Sequence, residues 1–587
     1  MLRRIAVLLS AVLTLSGPTL LAQNIHVIVD AGERVKAVNP WLFGINTARW
    51  DESMFPGPAS EMLQTADRDA IAKIKASGIT LLKYPGGNDA DAYVWNSKTN
   101  NATEMDTDEY LALCRAVGAE PFITINFNEP PELAAAWVKY CNVEKGYNVK
   151  LWEVGDEQWG TWARGHVPPE QYAKKYISFV KAMRAVDPTI KVATNVPLGA
   201  HPENWAERVT KAASDYIDMI TFTYFPQPSG KENDDTLMAS VGKYRKLYAQ
   251  LREDIVRAAG PEKAASILYV NVGYNSVSHS PGLQTIQIIN ALWTADMLGS
   301  MAELGTDIAC FWALHNFYPP RGGDYGYLSS EGSNTPRYSY YAFPLLADHL
   351  KGEMVKTTSD DPGVSSYASR SGKELSIVLI NLNPKAAGNI ELNLTGIKPM
   401  SRAEVTILDQ KRKNVRIADL GNISEKFPLK LSPYSVTALK IIDRDSVIPP
   451  PNLATLATAS ASSYSTIGPY FRPESAIDGK LSTRWNSAAW TKSNGQETQW
   501  FQLSWKKAQH IKHIKITWGE TFAASYRLLG SNDGKKWTTL HEVTSGSGAM
   551  EQYDITPLTT RYLRIDGQKG TKGISAYSIR EIAVYGE

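Results

Sequence analysis

The 587-residue chain predicts a multidomain protein: an eight-stranded βα barrel, a β-sandwich, and a separate all-β unit. Three observations carry that prediction. Between about residues 40 and 350, short apolar runs of strand type alternate with amphipathic helical stretches, as a parallel sheet with crossover helices requires. From Gly352 to Asp443 the helical period stops and short alternating strands replace it. Beyond the proline run Pro449-Pro450-Pro451, strand and turn signals continue to Glu587.

Composition agrees with a globular chain and narrows its partners. Net charge is +2, so no nucleic acid or other polyanion is implied. Aromatics make up 10% of the chain, with 16 Trp and 28 Tyr. Most belong to cores, but flat apolar rings also pack on sugar faces. Arg3, Arg4 and the apolar run Ile5–Leu15 read as an export signal over residues 1–22, which implies a secreted or periplasmic protein. No later stretch is long and apolar enough to span a membrane. Cys114, Cys141 and Cys310 stand in apolar contexts without metal-ligand spacing, as small buried hydrophobes. The sequence sets no oligomeric state.

Taken in order, residues 23–35 form an alternating strand expected to join the later β domain. The barrel domain is expected over 36–351. Its strands are read at 42–47, 79–84, 121–126, 149–155, 190–195, 219–224, 267–272 and 308–314. Helices are expected near 66–77, 107–118, 131–141, 169–186, 204–214, 236–259 and 284–304. An open doubly wound sheet fits less well, because no glycine-rich phosphate loop follows the first strand. The β-sandwich is expected over 352–443, an extended linker over 444–451, and the last domain over 452–587.

Chemistry in such a barrel sits at the C-terminal strand ends. Strand four runs Val149 to Gly155 and ends in Asp156-Glu157. Strand two ends in Tyr84-Pro85-Gly86-Gly87-Asn88-Asp89, a sharp turn presenting Asn88 and Asp89 to the barrel mouth. Strand six ends in Thr223-Tyr224-Phe225, and strand eight in Trp312-Ala313-Leu314-His315-Asn316. Polar and aromatic groups gathered on one face predict a sugar cleft.

Trp152-Glu153-Val154-Gly155-Asp156-Glu157 resembles the Trp-Glu-Ile-Gly-Asn-Glu signature of retaining glycoside hydrolases of the βα-barrel (clan A) superfamily, especially α-L-arabinofuranosidase-like members. Phe43 to Asp51, Tyr84 to Asn88 and Trp312 to Asn316 follow in the same order and spacing. The resemblance implies a TIM barrel with a supporting β-sandwich closed by the N-terminal strand, and Glu157 as general acid/base. It also implies a subsite of Asn46, Tyr84, Asn88, Asp89, Asp156, Tyr224, Tyr274, Trp312 and His315. No catalytic cofactor is implied. The partner is a plant or microbial polysaccharide or oligosaccharide.

Two departures stand out. The family's strand seven reads Val-Thr-Glu-Tyr-Asn-Ser, with Glu as nucleophile; here Gly273 stands at that position. The Asn before the acid/base, a donor to the sugar 2-hydroxyl, is here Asp156, which accepts only when ionised. Asp156 is expected to be a poor replacement nucleophile, because neighbours on an extended strand point oppositely. Three readings stay open. Another carboxylate serves, with Glu129 foremost and Asp89 and Asp324 behind it; or the barrel only binds glycan; or position 273 has changed from Glu by one base.

In the last domain, Pro473 to Lys480, Thr483-Arg484-Trp485, Gln499 to Leu503, Ser531 to Trp537 and Arg561 to Ile565 resemble the discoidin, or coagulation-factor C-type, jelly roll used as a carbohydrate-binding module. That resemblance implies Trp485 and Trp500 in the core, and glycan contacts from Tyr464, Tyr470, Trp490 and Tyr577. It also implies a structural calcium with Asp478 among its ligands.

Overall fold

The computed structural model describes residues 24–54, 68–97, 104–316, 321–329, 334–386, 388–444, 452–466, 471–479, 483–489, 498–570 and 576–586. The expected export signal, all of the linker but Arg444, Tyr470 and Trp490 lie outside these. Two compact units are present, one reaching to Ser446 and the other beginning at Val447.

In the first unit eight parallel strands close a barrel: β2 (Gly44–Asn46), β3 (Leu81–Tyr84), β4 (Glu120–Ile125), β5 (Leu151–Val154), β6 (Lys191–Asn195), β7 (Met219–Tyr224), β8 (Leu268–Tyr274) and β9 (Ile308–Phe311). Leu81, Phe122, Leu151, Ala193, Met219, Val270, Ile308 and Cys310 fill its interior. Their alternation with outward residues is the period-two pattern of the runs that predicted the strands. The helices obey their own signals. Thr107–Val117 begins in a capping box between Asp106 and Glu109 and ends at left-handed Gly118. All three cysteines are buried and unbridged.

Nine strands form a second sheet in the same unit. They are β1 (Ile25–Ala37), β10 (Glu353–Ser359), β11 (Val364–Ser371), β12 (Glu374–Asn381), β13 (Gly388–Thr395), β14 (Pro399–Leu408), β15 (Val415–Gly421), β16 (Lys426–Leu431) and β17 (Ser435–Asp443). Their order is β15-β14-β17-β12-β11-β10-β1-β13-β16, one unbroken hydrogen-bonded path. Side chains from both halves of the path, such as Val27, Leu392, Leu431, Val405 and Leu439, share one core. β1 lies antiparallel to β10 and parallel to β13.

Helix Ile288–Leu304 is apolar nearly all round and almost wholly buried. The nine-stranded sheet explains this, because it covers the helix's outer side. A Cβ on Gly299 would meet the Tyr367 ring at 2.4 Å, and the Tyr367 hydroxyl donates to Asp296. Among the described residues no helix is long and apolar enough to cross a membrane.

The second unit is all-β: β18 (Thr458–Ala461), β19 (Trp485–Asn486), β20 (Gln499–Trp518), β21 (Ala523–Ser531), β22 (Thr538–Val543), β23 (Met550–Gly570) and β24 (Ser578–Tyr585). Their order is β19-β24-β20-β23-β21-β22, with β18 on β20. Trp485, Phe501, Trp505, Trp518 and Tyr526 build the core. Trp500, expected there, is instead half-buried on the sheet's other face, under the Arg564 guanidinium at 4.4 Å. β20 alternates, so Phe501 and Leu503 face in and Trp500 faces out.

Candidate active site

The C-terminal end of the barrel opens on a cavity of about 300 Å³, small for a ligand pocket. Trp50, Gly86, Gly87, Asn88, Asp89, Asp156, Glu157, Thr223, Phe225, Val272, Gly273, Ser278 and Trp312 line it. Local backbone chemistry shapes it. Gly155 has φ +68°, and a Cβ there would strike Gln158 and Phe127. Glu157 itself has φ +56°, a left-handed conformation uncommon outside glycine. These two turns break the strand's alternation, so Asp156 and Glu157 face the same cavity. The expectation that they point oppositely is thereby corrected. Gly87, at φ +50°, lets Trp312 approach so closely that a Cβ would sit 2.9 Å from the indole.

Asn88 donates one amide nitrogen to both acids, at 3.2 Å to Asp156 and 3.1 Å to Glu157. Those oxygens therefore lie within about 6 Å of each other, short of the ~6.5–9.5 Å of an inverting pair. Thr223 donates to the other Glu157 oxygen, and exposed Trp162 donates its indole N–H to Glu157 at 3.0 Å. Three donors from three strand ends thus fix the Glu157 carboxyl.

Beneath it runs a buried charge cluster. Lys83 is 3.0 Å from Glu153 and 3.5 Å from Asp156, all but inaccessible to water. Burial pulls the ammonium pKa down, but Glu153 and then Asp156 more than offset it, and the net direction is up. Burial pushes Asp156 well above the usual carboxylate range; Lys83 opposes this, while Glu153, Glu157 and Asp91 reinforce it. Asp91 accepts from the backbone N–H groups of Phe127 and Asp156 and from the Gln158 amide. Burial still outweighs those donors and lifts it to about 6.

Gly273 lines the cavity, and nothing in the fold demands glycine there. A Cβ would meet Thr223 at 3.4 Å and Phe225 at 3.6 Å, ordinary contacts, and its φ is not left-handed. Position 273 presents only backbone to the cavity.

Several sequence-named residues do not reach the cavity. Asn46 spends its amide on the carbonyls of Val272, Cys310 and Phe311, bracing strand ends. Tyr84 is buried, stacked on Tyr110, its hydroxyl on Met105. Tyr224 donates to Ser240, and Tyr274 packs among Trp293 and Phe311. A register shift where β7 and β8 meet re-aims these ends: Thr223 and Gly273 face the cavity, and the tyrosines do not. His315 is buried beside Asp51 at 3.3 Å and Asn334 at 2.6 Å. Glu129 lines a separate small cleft with Trp95 and Trp137, because its loop leads into helix Pro131–Val138. Asp324 is buried against Arg337 and the N–H of Gly326. Asn88, Asp89, Asp156, Glu157, Gly273 and Trp312 do converge. Trp50, Thr223 and Phe225 join them; each lay inside a strand-end motif, masked by a more conspicuous neighbour. Lys83 and Glu153 carried a signal as well, since charges at apolar strand positions must be paired.

In the second unit Tyr464 is exposed, whereas Tyr577 is core-buried against Gly567 and is no surface ligand. Asp478 accepts from Thr483 at 2.8 Å. Both Glu581 oxygens are buried, with no closer polar partner among the described residues than the backbone N–H of Gly479. Burial first, then Asp478, push Glu581 up to about 8. A buried, poorly compensated carboxylate beside a second one, with a hydroxyl at hand, suits a hard cation. No cluster of three acidic, His or Cys groups occurs among the described residues.

Comparison with known proteins accords with this architecture. Residues 128–299 match the glycosyl hydrolase family 79 N-terminal domain, and 457–582 the F5/8 type C domain. A probable α-L-arabinofuranosidase C of Aspergillus clavatus is 27% identical over 206 residues, 28% of this chain and 40% of that protein. An intracellular exo-α-(1→5)-L-arabinofuranosidase of Streptomyces lividans is 25% identical over 255 residues, 36% of this chain and 38% of that protein. The chain thus spans about two fifths of these curated relatives. Among solved structures, an α-L-arabinofuranosidase of Thermotoga maritima superposes with TM-score 0.62 at 20% identity, covering 71% of this chain and all of that one. A Paenibacillus polymyxa xyloglucanase of glycoside hydrolase family 44 superposes at 0.53, with 14% identity, over 72% of this chain and all of that one. In sequence the barrel region is thus similar to α-L-arabinofuranosidases and to the glycosyl hydrolase family 79 N-terminal domain, and the last domain to the F5/8 type C domain.

Proposed function

We propose that the barrel hydrolyses O-glycosidic bonds of an oligosaccharide or polysaccharide, with Glu157 as the proton donor. The observation that carries this is the Glu157 carboxyl, held at the cavity by Asn88, Thr223 and Trp162. A general acid must reach the leaving oxygen, and this carboxyl borders the space a glycoside would fill. The relatives' names offer α-L-arabinofuranoside as the first sugar to try. Aryl α-L-arabinofuranoside turnover by the wild type and by Glu157→Gln tests the assignment. Unchanged kcat in the variant would overturn it.

Gly273 favours a second reading, a barrel that binds glycan without turnover. Calorimetric sugar binding with no hydrolysis across a furanoside and pyranoside panel would support that reading instead.

For the last domain we infer glycan docking, with Tyr464 as a contact, and a structural calcium held by Asp478 and Glu581. Calcium there would supply charge compensation and loop order, not chemistry. We further propose export to the periplasm or beyond, which cell fractionation tests.

A further inference from the structure

The two departures at the barrel mouth make sense together. The side chain that would attack the anomeric carbon is absent, although the backbone at Gly273 would accept one. An acid, Asp156, stands beside the proton donor on the same side of the cavity. It lies too close to Glu157 to activate a water across the sugar ring, as an inverting pair requires. A glycosidase without a nucleophile of its own needs one from elsewhere, and some draw it from the substrate.

We propose that the site takes 2-acetamido sugars, whose own acetamido oxygen attacks the anomeric carbon while Asp156 receives the acetamido N–H. The step balances. The acetamido carbonyl oxygen bonds to C1 and the C1–O bond to the aglycone breaks. Glu157 gives its proton to the departing oxygen. Asp156 holds the N–H of the resulting oxazolinium, or takes that proton to leave a neutral oxazoline. Water then adds to C1 with Glu157 taking its proton, the oxazoline C1–O bond breaks, Asp156 returns to the nitrogen any proton it took, and the acetamido sugar leaves with retained configuration. Attack from the neighbouring carbon requires a leaving group trans to the acetamido group, hence a β-glucosaminide or β-galactosaminide.

The geometry fits each part. One Asp156 oxygen faces Lys83 at 3.5 Å and the other accepts from Asn88 at 3.2 Å, so the carboxyl is set up as an acceptor. An asparagine at this position would offer its amide N–H to a hydroxyl; the acid instead suits a donor on the sugar's second carbon. Burial favours the neutral acid and the Lys83 ammonium at 3.5 Å opposes it, so Lys83 is the group that supports Asp156 as an ionised acceptor. Gly273 lines the cavity with bare backbone, so no side chain stands there to act as an enzymic nucleophile.

This inference rests on Glu157 as proton donor but not on arabinose, and one panel separates the two. The full chain is assayed on 4-nitrophenyl N-acetyl-β-D-glucosaminide and galactosaminide, their N-trifluoroacetyl analogues, the 2-hydroxy β-glucoside, and α-L-arabinofuranoside. The expected result is hydrolysis of an acetamido substrate at least ~100-fold faster than its 2-hydroxy counterpart, falling ~100-fold or more on fluorination. Asp156→Asn and Asp156→Ala, checked by melting to be folded, are expected to lower kcat by ~100-fold with KM little changed. Hydrolysis indifferent to fluorination would overturn the inference. So would arabinofuranoside turnover with silent acetamido substrates, which leaves the hydrolase reading standing. Silence on every substrate, relieved for arabinofuranoside by Gly273→Glu, would overturn it too and mark a lost nucleophile. Silence throughout, even in that variant, would overturn both.

Discussion

Glu157 sits in a left-handed turn that most residues avoid, and its carboxyl takes three donors. The strain is tolerated because the turn swings both acids into one cavity. Glu157→Gln should lower kcat by ~10²–10⁴ on whichever glycoside proves to be the substrate, with little change in KM; steady-state kinetics checks this. Gly273→Glu should fold normally, with a melting temperature within a few degrees of wild type, because its Cβ meets neighbours at 3.4 Å or more. At this scale the sequence was legible where motif and strand end coincide, as at Asn88, Glu157 and Trp312. It was opaque for Tyr84, Tyr224 and Tyr274. A tyrosine serves equally as ligand or core, and for Tyr224 and Tyr274 the register shifts of β8 against its neighbours decide which.

The loop after β5 is pinned by one buried acid. Asp91 holds the N–H groups of Phe127 and Asp156 and the Gln158 amide, so it ties three strand ends together. Asp91→Ala should leave these donors unpaired and cost about 3 kcal/mol, visible in chemical denaturation, and it should lower kcat without touching substrate. In the last domain, β24 carries Glu581. Its folded pKa, about 8, lies above the ordinary glutamate value, so the folded state binds the extra proton. Without calcium, stability should therefore be greatest at acidic pH and fall as pH rises toward 8. Melting curves from pH 5 to 8 should show that decline. Glu581→Gln should flatten it, and added calcium should reverse it at the alkaline end. Neither acid was legible at this level. Asp91 follows a glycine-rich turn and Glu581 lies mid-strand, and only three-dimensional neighbours reveal their loads.

At the scale of the molecule, alternation of strand and helix was enough to read the barrel, because eight crossover units leave few other closures. What it did not reveal was how barrel and nine-stranded sheet share a boundary. Helix Ile288–Leu304 is buried on both sides, with Tyr367 of β11 lying against Gly299. A chain ending at Leu350 would bare that helix. It should aggregate, as sedimentation or light scattering would record, whereas residues 452–587, with a core of their own, should remain soluble.

β1 is the first strand described, yet its partners β10 and β13 begin at Glu353 and Gly388. A ribosome adding ~5–20 residues per second delivers them on the order of half a minute later. Throughout that interval a strand with two open edges must wait while the barrel forms behind it. The order of synthesis thus leaves this strand unpaired for longer than any other strand of its sheet, and in that interval the nascent chain is open to capture by a chaperone or by another copy of itself.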